Sequence, residues 1–420
     1  MKKLNNKLFY TLLATSMFSY SSFAQEYTMI GVEEEITEAI IPMAYAKHKG
    51  NAKPQTTSPT HPWYDEYTKW KNTLQSDTGF SYVFDLSLLA QRGAPSGKGT
   101  ALQFQAYPSI SWQLFNNEYG SGIINASYTP TRYWNSTDGQ DITNRIGVLS
   151  PINDYTTKSN SFDELSYTQQ FWGSMNWFSL TIGQFPIYNF DGTSYDSNQQ
   201  INFVNYALSQ NASSTYPLAS LGLYATFTIN PEWQINIGMQ DANNVSGSVI
   251  SASDFGKGEY TSFASLSYTP TIKNLGSGQY SILVYNQPGV DAQPGTSNGW
   301  SLNMQQSLDD KIAIFGRING ASNSSSQIKQ SYVIGSVVNN PLGRNELDQV
   351  GTAIAVNKAN IDVIGEDNTR DYETVIEAYW AWGIGNWLTI TPDIQMYFYP
   401  ALDASHNFAT VTSLRTTMLF

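Results

Sequence analysis

TVTSLRTTMLF, the stretch from Thr410 to Phe420, decides the fold. Thr412, Leu414, Thr416, Met418 and Phe420 fall on one side of an extended chain, and Ser413, Arg415 and Thr417 on the other. Successive side chains of a strand point to opposite faces, so this is a strand with one apolar face and one polar face. The sequence ends on that apolar face with an aromatic ring. A soluble enzyme seldom ends on an exposed phenylalanine. A strand that closes a membrane barrel and faces lipid commonly does.

Moving outward from this stretch, the same period recurs upstream. Leu388, Ile390, Ile394 and Met396 oppose Thr389, Thr391, Asp393 and Gln395. Ile235, Ile237 and Met239 oppose Gln234, Asn236 and Gln240, and Leu102, Phe104 and Ala106 oppose Gln103 and Gln105. From Gly79 onward the pattern predicts an all-β, antiparallel transmembrane barrel of about 16 strands. The strands begin near Phe80, Ala101, Gly122, Glu164, Trp177, Leu221, Trp233, Tyr260, Tyr280, Trp300, Lys311, Ser331, Val350, Tyr372, Trp387 and Thr410. Connector length tests the count. Short links at 173–176, 230–232, 309–310 and 383–386 all follow even-numbered strands, and the longest, roughly 130–163 and 184–218, follow odd-numbered ones. Short periplasmic turns and long external loops have this parity if both chain ends are periplasmic. Trp177, Trp233, Trp300 and Trp387 are read as opening strands beside the short turns, with Trp380 and Trp382 closing one, as a membrane-interface girdle requires.

The other end of the chain gives the address. Lys2, Lys3 and Lys7 precede a short apolar run, Leu8 to Phe18, and Ser22-Phe23-Ala24 supplies small residues for cleavage, which is the pattern of a signal peptide over 1–24. No later run reaches the roughly 20 apolar residues of a membrane helix. Residues 25–75 read as a periplasmic segment: a brief acidic helix (VEEEITEAII, Val32 to Ile41), a Pro-containing linker, and a helix from Pro62 to Leu74. In that last helix Trp63, Tyr67, Trp70 and Leu74 form a stripe to pack near the barrel's mouth. The barrel is assigned to 76–420.

Composition agrees. Aromatics make up 14% and charged residues 13%, against a usual charged share of about 25%, while mean hydropathy is −0.33. Asn, Gln, Ser, Thr and Gly fill the gap, as a polar lumen inside an apolar belt demands. There is no cysteine, hence no disulfide and no thiolate site. Without the three signal-peptide lysines, 19 basic residues face 34 acidic ones, a formal charge of −15. That excludes a basic nucleic-acid surface. The three histidines, His48, His61 and His406, lie in linker or loop, and no metal spacing, phosphate loop or nucleophile–base pair accompanies them. The reading is therefore no enzyme, no metal and no cofactor.

A pore needs hydrogen-bonding groups and aromatic faces at a narrow point. The 184–218 connection, at about 35 residues far longer than a hairpin loop, offers Gln184, Tyr188, Asn189, Asp191, Tyr195, Asp196 and Asn198. It either narrows the pore or is a solvated external loop. Arg317, Glu373, Glu377 and Asp393 share parity with polar neighbours, and a charge on the lipid face costs about 2–4 kcal/mol at mid-membrane, so they face the lumen. They either serve the filter or hydrate the wall, with Arg317 pairing to a neighbouring acid. The candidate constriction is Gln184, Tyr188, Asn189, Asp191, Arg317, Glu377 and Asp393.

Two blocks resemble the carbohydrate-selective porins of Gram-negative outer membranes, the OprB-type family. GQFPIYNFDGTSYDSNQQINFVNYAL (Gly183 to Leu208) runs on into LGLYATFTINPEWQINIGMQDAN (Leu221 to Asn243), and YETVIEAYWAWGIGNWLTITPDIQMYFYP (Tyr372 to Pro400) is the closer match. The chain departs at Gln184, where relatives often carry a basic residue. The resemblance implies a sixteen-stranded selective channel in the outer membrane, with the loop after strand five folded into the lumen and small neutral solutes, foremost sugars, as its cargo. A general diffusion porin and a structural or adhesive barrel are the alternatives, and homo-oligomer formation stays open.

Overall fold

The computed structural model describes residues 62–95, 99–323 and 325–420. The expected signal peptide and the acidic helix at Val32 to Ile41 lie outside the described residues. Sixteen long strands form the wall. They are β1 (Phe80–Ala94), β2 (Ala101–Asn117), β3 (Gly120–Tyr133), β4 (Ser159–Phe171), β5 (Phe178–Phe185), β6 (Ser220–Asn230), β7 (Trp233–Asp241) and β8 (Tyr260–Tyr268). The second half comprises β9 (Gly276–Gln287), β10 (Ser297–Ser307), β11 (Ile312–Ser322), β12 (Ile328–Asn339), β13 (Gln349–Ala359), β14 (Tyr372–Ile384), β15 (Leu388–Phe398) and β16 (Phe408–Leu419). A two-residue strand, Thr271–Ile272, extends the β8–β9 hairpin. Each strand pairs antiparallel with its sequence neighbours, and β1 pairs with β16 from Asp85↔Leu419 to Ala94↔Thr410. The sheet is thus a closed barrel, which leaves no unpaired strand edge to the membrane.

Alternation sets the two faces. Along β16, Leu414 is 51% exposed while Arg415 is 1% exposed, and Thr412, Thr416 and Met418 side with Leu414. Exposed Ile237, Ile312, Ile314, Ile318, Ile390 and Ile394 continue the outer belt. Short turns (118–119, 231–232, 385–387) gather at the rim that holds the C-terminus, and the loops 134–158 and 186–219 leave the opposite rim. Trp177, Trp233, Trp380, Trp382 and Trp387 lie by the short turns as expected. Trp300 does not. It sits in β10 just after the 288–296 loop, at the far rim, because an even-numbered strand starts there. It belongs to the other interfacial belt.

Helix α1 (Pro62–Thr78) extends the expected Pro62 to Leu74 helix by four residues, so the barrel proper starts at Phe80. Proline at its first position loses no helical hydrogen bond. Gly79 ends it with φ 69°, donating its N–H to Gln75 O at 2.9 Å, a left-handed stop suited to glycine. The aromatic stripe meets the outer side of the closing seam. Trp63 packs on Trp387 (5.3 Å between centroids), Tyr67 on Phe420 (6.3 Å) and Trp70 on Tyr82 (6.2 Å).

One irregularity re-aims side chains. Between Ser127↔Glu164 and Thr129↔Ser161, two residues of β4 oppose one of β3. This β-bulge turns the consecutive Asp163 and Glu164 both inward, where strict alternation would send one to lipid.

Candidate functional site

The 186–219 loop lies inside the barrel. Two apolar anchors hold it. Near its start Phe190 packs on Tyr224 (5.0 Å) and Phe263 (5.0 Å) of the wall. Further on Phe203 wedges between Phe315 (5.4 Å) and Tyr379 (4.9 Å). Both wall rings can lie flat because a glycine faces each. A Cβ on Gly335 would meet the Phe315 ring at 2.3 Å, and one on Gly351 the Tyr379 ring at 2.3 Å. Deep, apolar side chains thus substitute for water on this side of the lumen.

Between the anchors the loop is polar and pinned to the wall. Ser194 N–H donates to Gln279 (3.2 Å, β9) and Gln305 (3.0 Å, β10), and Asn339 of β12 donates to the Tyr195 hydroxyl (2.9 Å). Gln199 donates to Gln105 of β2 (2.8 Å) and Gln200 to Ser87 of β1 (3.2 Å). From β16, Arg415 donates to the carbonyls of Gln199 and, at 2.7 Å, Asn202. Glu377 of β14 accepts the N–H groups of Val204 (2.6 Å) and Asn205 (2.8 Å). Asn205, which caps helix α3 (Tyr206–Ser209) by accepting from Ala207 N–H, also donates to Tyr397 of β15 (2.7 Å).

A second loop enters beside the first. Residues 134–158 include helix α2 (Gly139–Ile146), closed at its start by a capping box between Asp138 and Asp141. Past it, Leu149 and Ser150 N–H donate to Glu373 of β14 (2.6 and 2.8 Å), and Asn153 donates to Gln91 of β1 (2.6 Å). The loops bond to each other: Tyr206 N–H to Pro151 O (3.1 Å), Ser150 to Asn205 (2.8 Å) and Gln210 to Asp154 (3.2 Å). Burial pushes the Asp154 carboxyl up to about 7, against the donors Ser209 and Gln210 and the field of Arg317.

The expected site residues separate into three groups. Arg317 pairs with a loop acid, Asp196 (3.3 Å), and also donates to its carbonyl (3.1 Å). Asp191 accepts from Asn303 of β10 (3.0 Å), Asn211 (2.8 Å) and Tyr216 (3.0 Å). Glu377 and Asp393 face one another on β14 and β15, with Arg415 as the nearby cation. Gln184 is fully buried and donates to Phe162 O. Tyr188 comes within electrostatic reach of Asp163, Tyr107, Tyr155 and Glu164, and burial raises its phenol well above the ordinary value. Asn189 is buried beside it, its side-chain oxygen meeting no protein donor among the described residues.

Sequence reasoning missed Arg415 and Gln199 as loop anchors, the insertion of 134–158, and the inward pair Asp163–Glu164. Arg415 had a visible sign in its parity. The second insertion had only its length, and the bulge had none.

Comparison with known proteins places these features. The profile of the carbohydrate-selective porin, OprB family, matches residues 135–420. Porin AaxA of Chlamydia abortus is 40% identical over 357 residues, 83% of this chain and 79% of that protein. Porin AaxA of Chlamydia felis is 38% identical over 357 residues, 83% of this chain and 80% of its own. The high-pH structure of Pseudomonas putida OprB superposes with a TM-score of 0.70 at 15% identity, covering 87% of this chain and all of that one, a likeness of fold.

Proposed function

Because this chain belongs to the OprB family of carbohydrate-selective porins, outer-membrane channels rather than enzymes, we propose that it admits small neutral solutes, foremost carbohydrates, past a constriction built by the 186–219 loop. The observation that carries the reading is the loop's course across the lumen between the Phe190 and Phe203 anchors. The intervening stretch is rich in amides, hydroxyls and carbonyls, the kinds of group that exchange hydrogen bonds with sugar hydroxyls, and Tyr188 and Ser197 beside and within it keep partial exposure. Tyr188, the partly exposed member, flanks this proposed filter, the buried Gln184, Asn189 and Asp191 hold the loop there, and Arg317, Glu377 and Asp393 support it from the wall. Both inward arginines are tied to the loop, Arg317 through Asp196 and Arg415 through the Asn202 carbonyl.

Liposome swelling with mono- and disaccharides, beside amino acids of similar size, tests this in the parent and in a variant shortened within 191–202. Sugars are expected to enter faster than size-matched solutes, with the preference lost in the short-loop variant. Equal rates that ignore the loop would leave a general diffusion pore. A second reading, preference for small cations, is favoured by the inward Asp163 and Glu164, which lack a basic partner among the described residues. A reversal potential measured in a KCl gradient separates the two, since a neutral-solute filter need not discriminate K⁺ from Cl⁻ strongly.

A further inference from the structure

On the outside of the barrel, where α1 crosses the seam, a groove of about 500 Å³ opens between the helix and the wall. Tyr67 of the helix, Phe80, Tyr82 and Phe84 of β1, Ile110 of β2 and the terminal Phe420 line it. We propose that this groove is a binding site for a phospholipid of the leaflet at the short-turn rim, with an acyl chain in the slot and the headgroup phosphate at Lys71.

Three observations converge. First, Phe84 and Ile110 share the parity of the lipid-facing belt, so the slot opens toward hydrocarbon and not toward the lumen. Its volume lies in the range of ordinary ligand pockets, roughly 300–1,000 Å³. Second, a cation stands at its edge. Lys71 Nζ sits 4.7 Å from the centroid of the Tyr82 ring and 5.6 Å from that of Tyr67, and both rings line the slot. An ammonium held over aromatic faces at the edge of an apolar slot suits an interfacial phosphate. Third, Trp70 is 54% exposed next to Tyr82, and Trp63 and Trp387 stand further along the same rim. Such rings mark headgroup depth. An apolar slot below a cation at that depth has the shape of one lipid molecule rather than of a peptide, which would need main-chain partners the slot does not offer.

The test uses the full chain reconstituted in vesicles of phosphatidylethanolamine and phosphatidylglycerol. A small fraction of either lipid carries a diazirine near the end of one acyl chain, and crosslinked peptides are mapped by mass spectrometry. Labelling is expected to concentrate on Tyr82 to Phe84 and Ile110, well above Ile237 and Ile334, which are more exposed (52% and 58%) but lie on open wall. In Lys71→Glu, measured on the heat-modifiable assembled fraction, groove labelling by phosphatidylglycerol should fall about fivefold or more, the loss expected when one basic contact to an anionic headgroup goes. Lys71→Arg should restore it. Uniform labelling over the outer wall, or labelling indifferent to Lys71→Glu, would overturn the assignment and leave only bulk annular lipid.

Discussion

Replacing Arg415 by lysine keeps the charge that faces Asp393 but shortens the side chain that grips the loop. The guanidinium donates to two carbonyls, Gln199 and Asn202, from a fully buried position, and stacks 5.9 Å from the Tyr379 ring. Both bonds come from one nitrogen, Nη1, and a lysine ammonium ends one bond short of that position, so it loses its reach to at least one of the carbonyls. Loss of one charge-assisted hydrogen bond costs about 1.5–3 kcal/mol. At 1.4 kcal/mol per factor of ten, the population of loop-displaced states should rise on the order of 10- to 150-fold. The wall is untouched, because β16 keeps its ladders to β1 and β15. Single-channel recording in planar bilayers is the assay. Arg415→Lys should add brief excursions to higher conductance, at a frequency raised by that factor, with an unchanged melting temperature of the barrel. If the open-channel noise and mean conductance match the parent, the loop is held by its other contacts and the argument fails.

Two more perturbations have definite outcomes. Phe420→Asp should impair assembly rather than permeation: Phe420 exchanges backbone hydrogen bonds with Phe84 (3.0 and 3.2 Å) and touches Trp387 and Tyr67, so the seam loses its outer end. Parent-like heat-modifiable migration and surface level would count against this. For Asp154, the docked carboxyl titrates near 7 while a released one titrates near 3.8. The docked state therefore binds the extra proton between those values, so loop docking is firmest below 3.8, weakens as pH climbs to about 7 and is level above. Asp154→Asn should flatten this slope in open-channel noise recorded from pH 4 to 8, and a slope that survives the substitution would assign the titration elsewhere.

Much of the wall was legible because lipid imposes a one-dimensional rule. Every second residue must be apolar, so Leu414 and Arg415 declare their faces without any knowledge of their neighbours. Strand number followed because loop lengths alternate with strand parity. Trp300 obeys that same rule: it opens an even-numbered strand, β10, and so stands at the far rim. The lumen was harder to read. Arg317 was expected to pair with a neighbouring acid, but its sequence position did not say which, and the partner is Asp196 on the loop. Glu373 and Glu377 spend their oxygens on loop N–H groups, contacts that carry no sequence spacing. At Asp163 one extra residue in β4 cancels the alternation, and nothing in SFDEL signals it.

The course of the 186–219 loop has a mechanical consequence. An empty ring of strands is soft toward flattening, since each ladder can shear slightly without breaking. Here the loop is bonded at once to β1 and β2, to β9 through β12 and to β14 through β16. It therefore works as a strut laid across the ring. Squeezing the barrel along that diameter must compress the Phe203 wedge, and stretching it must break buried bonds at both ends. Lateral pressure in the bilayer is carried by the strut, and the cross-section of the passage is held fixed while the membrane around it fluctuates.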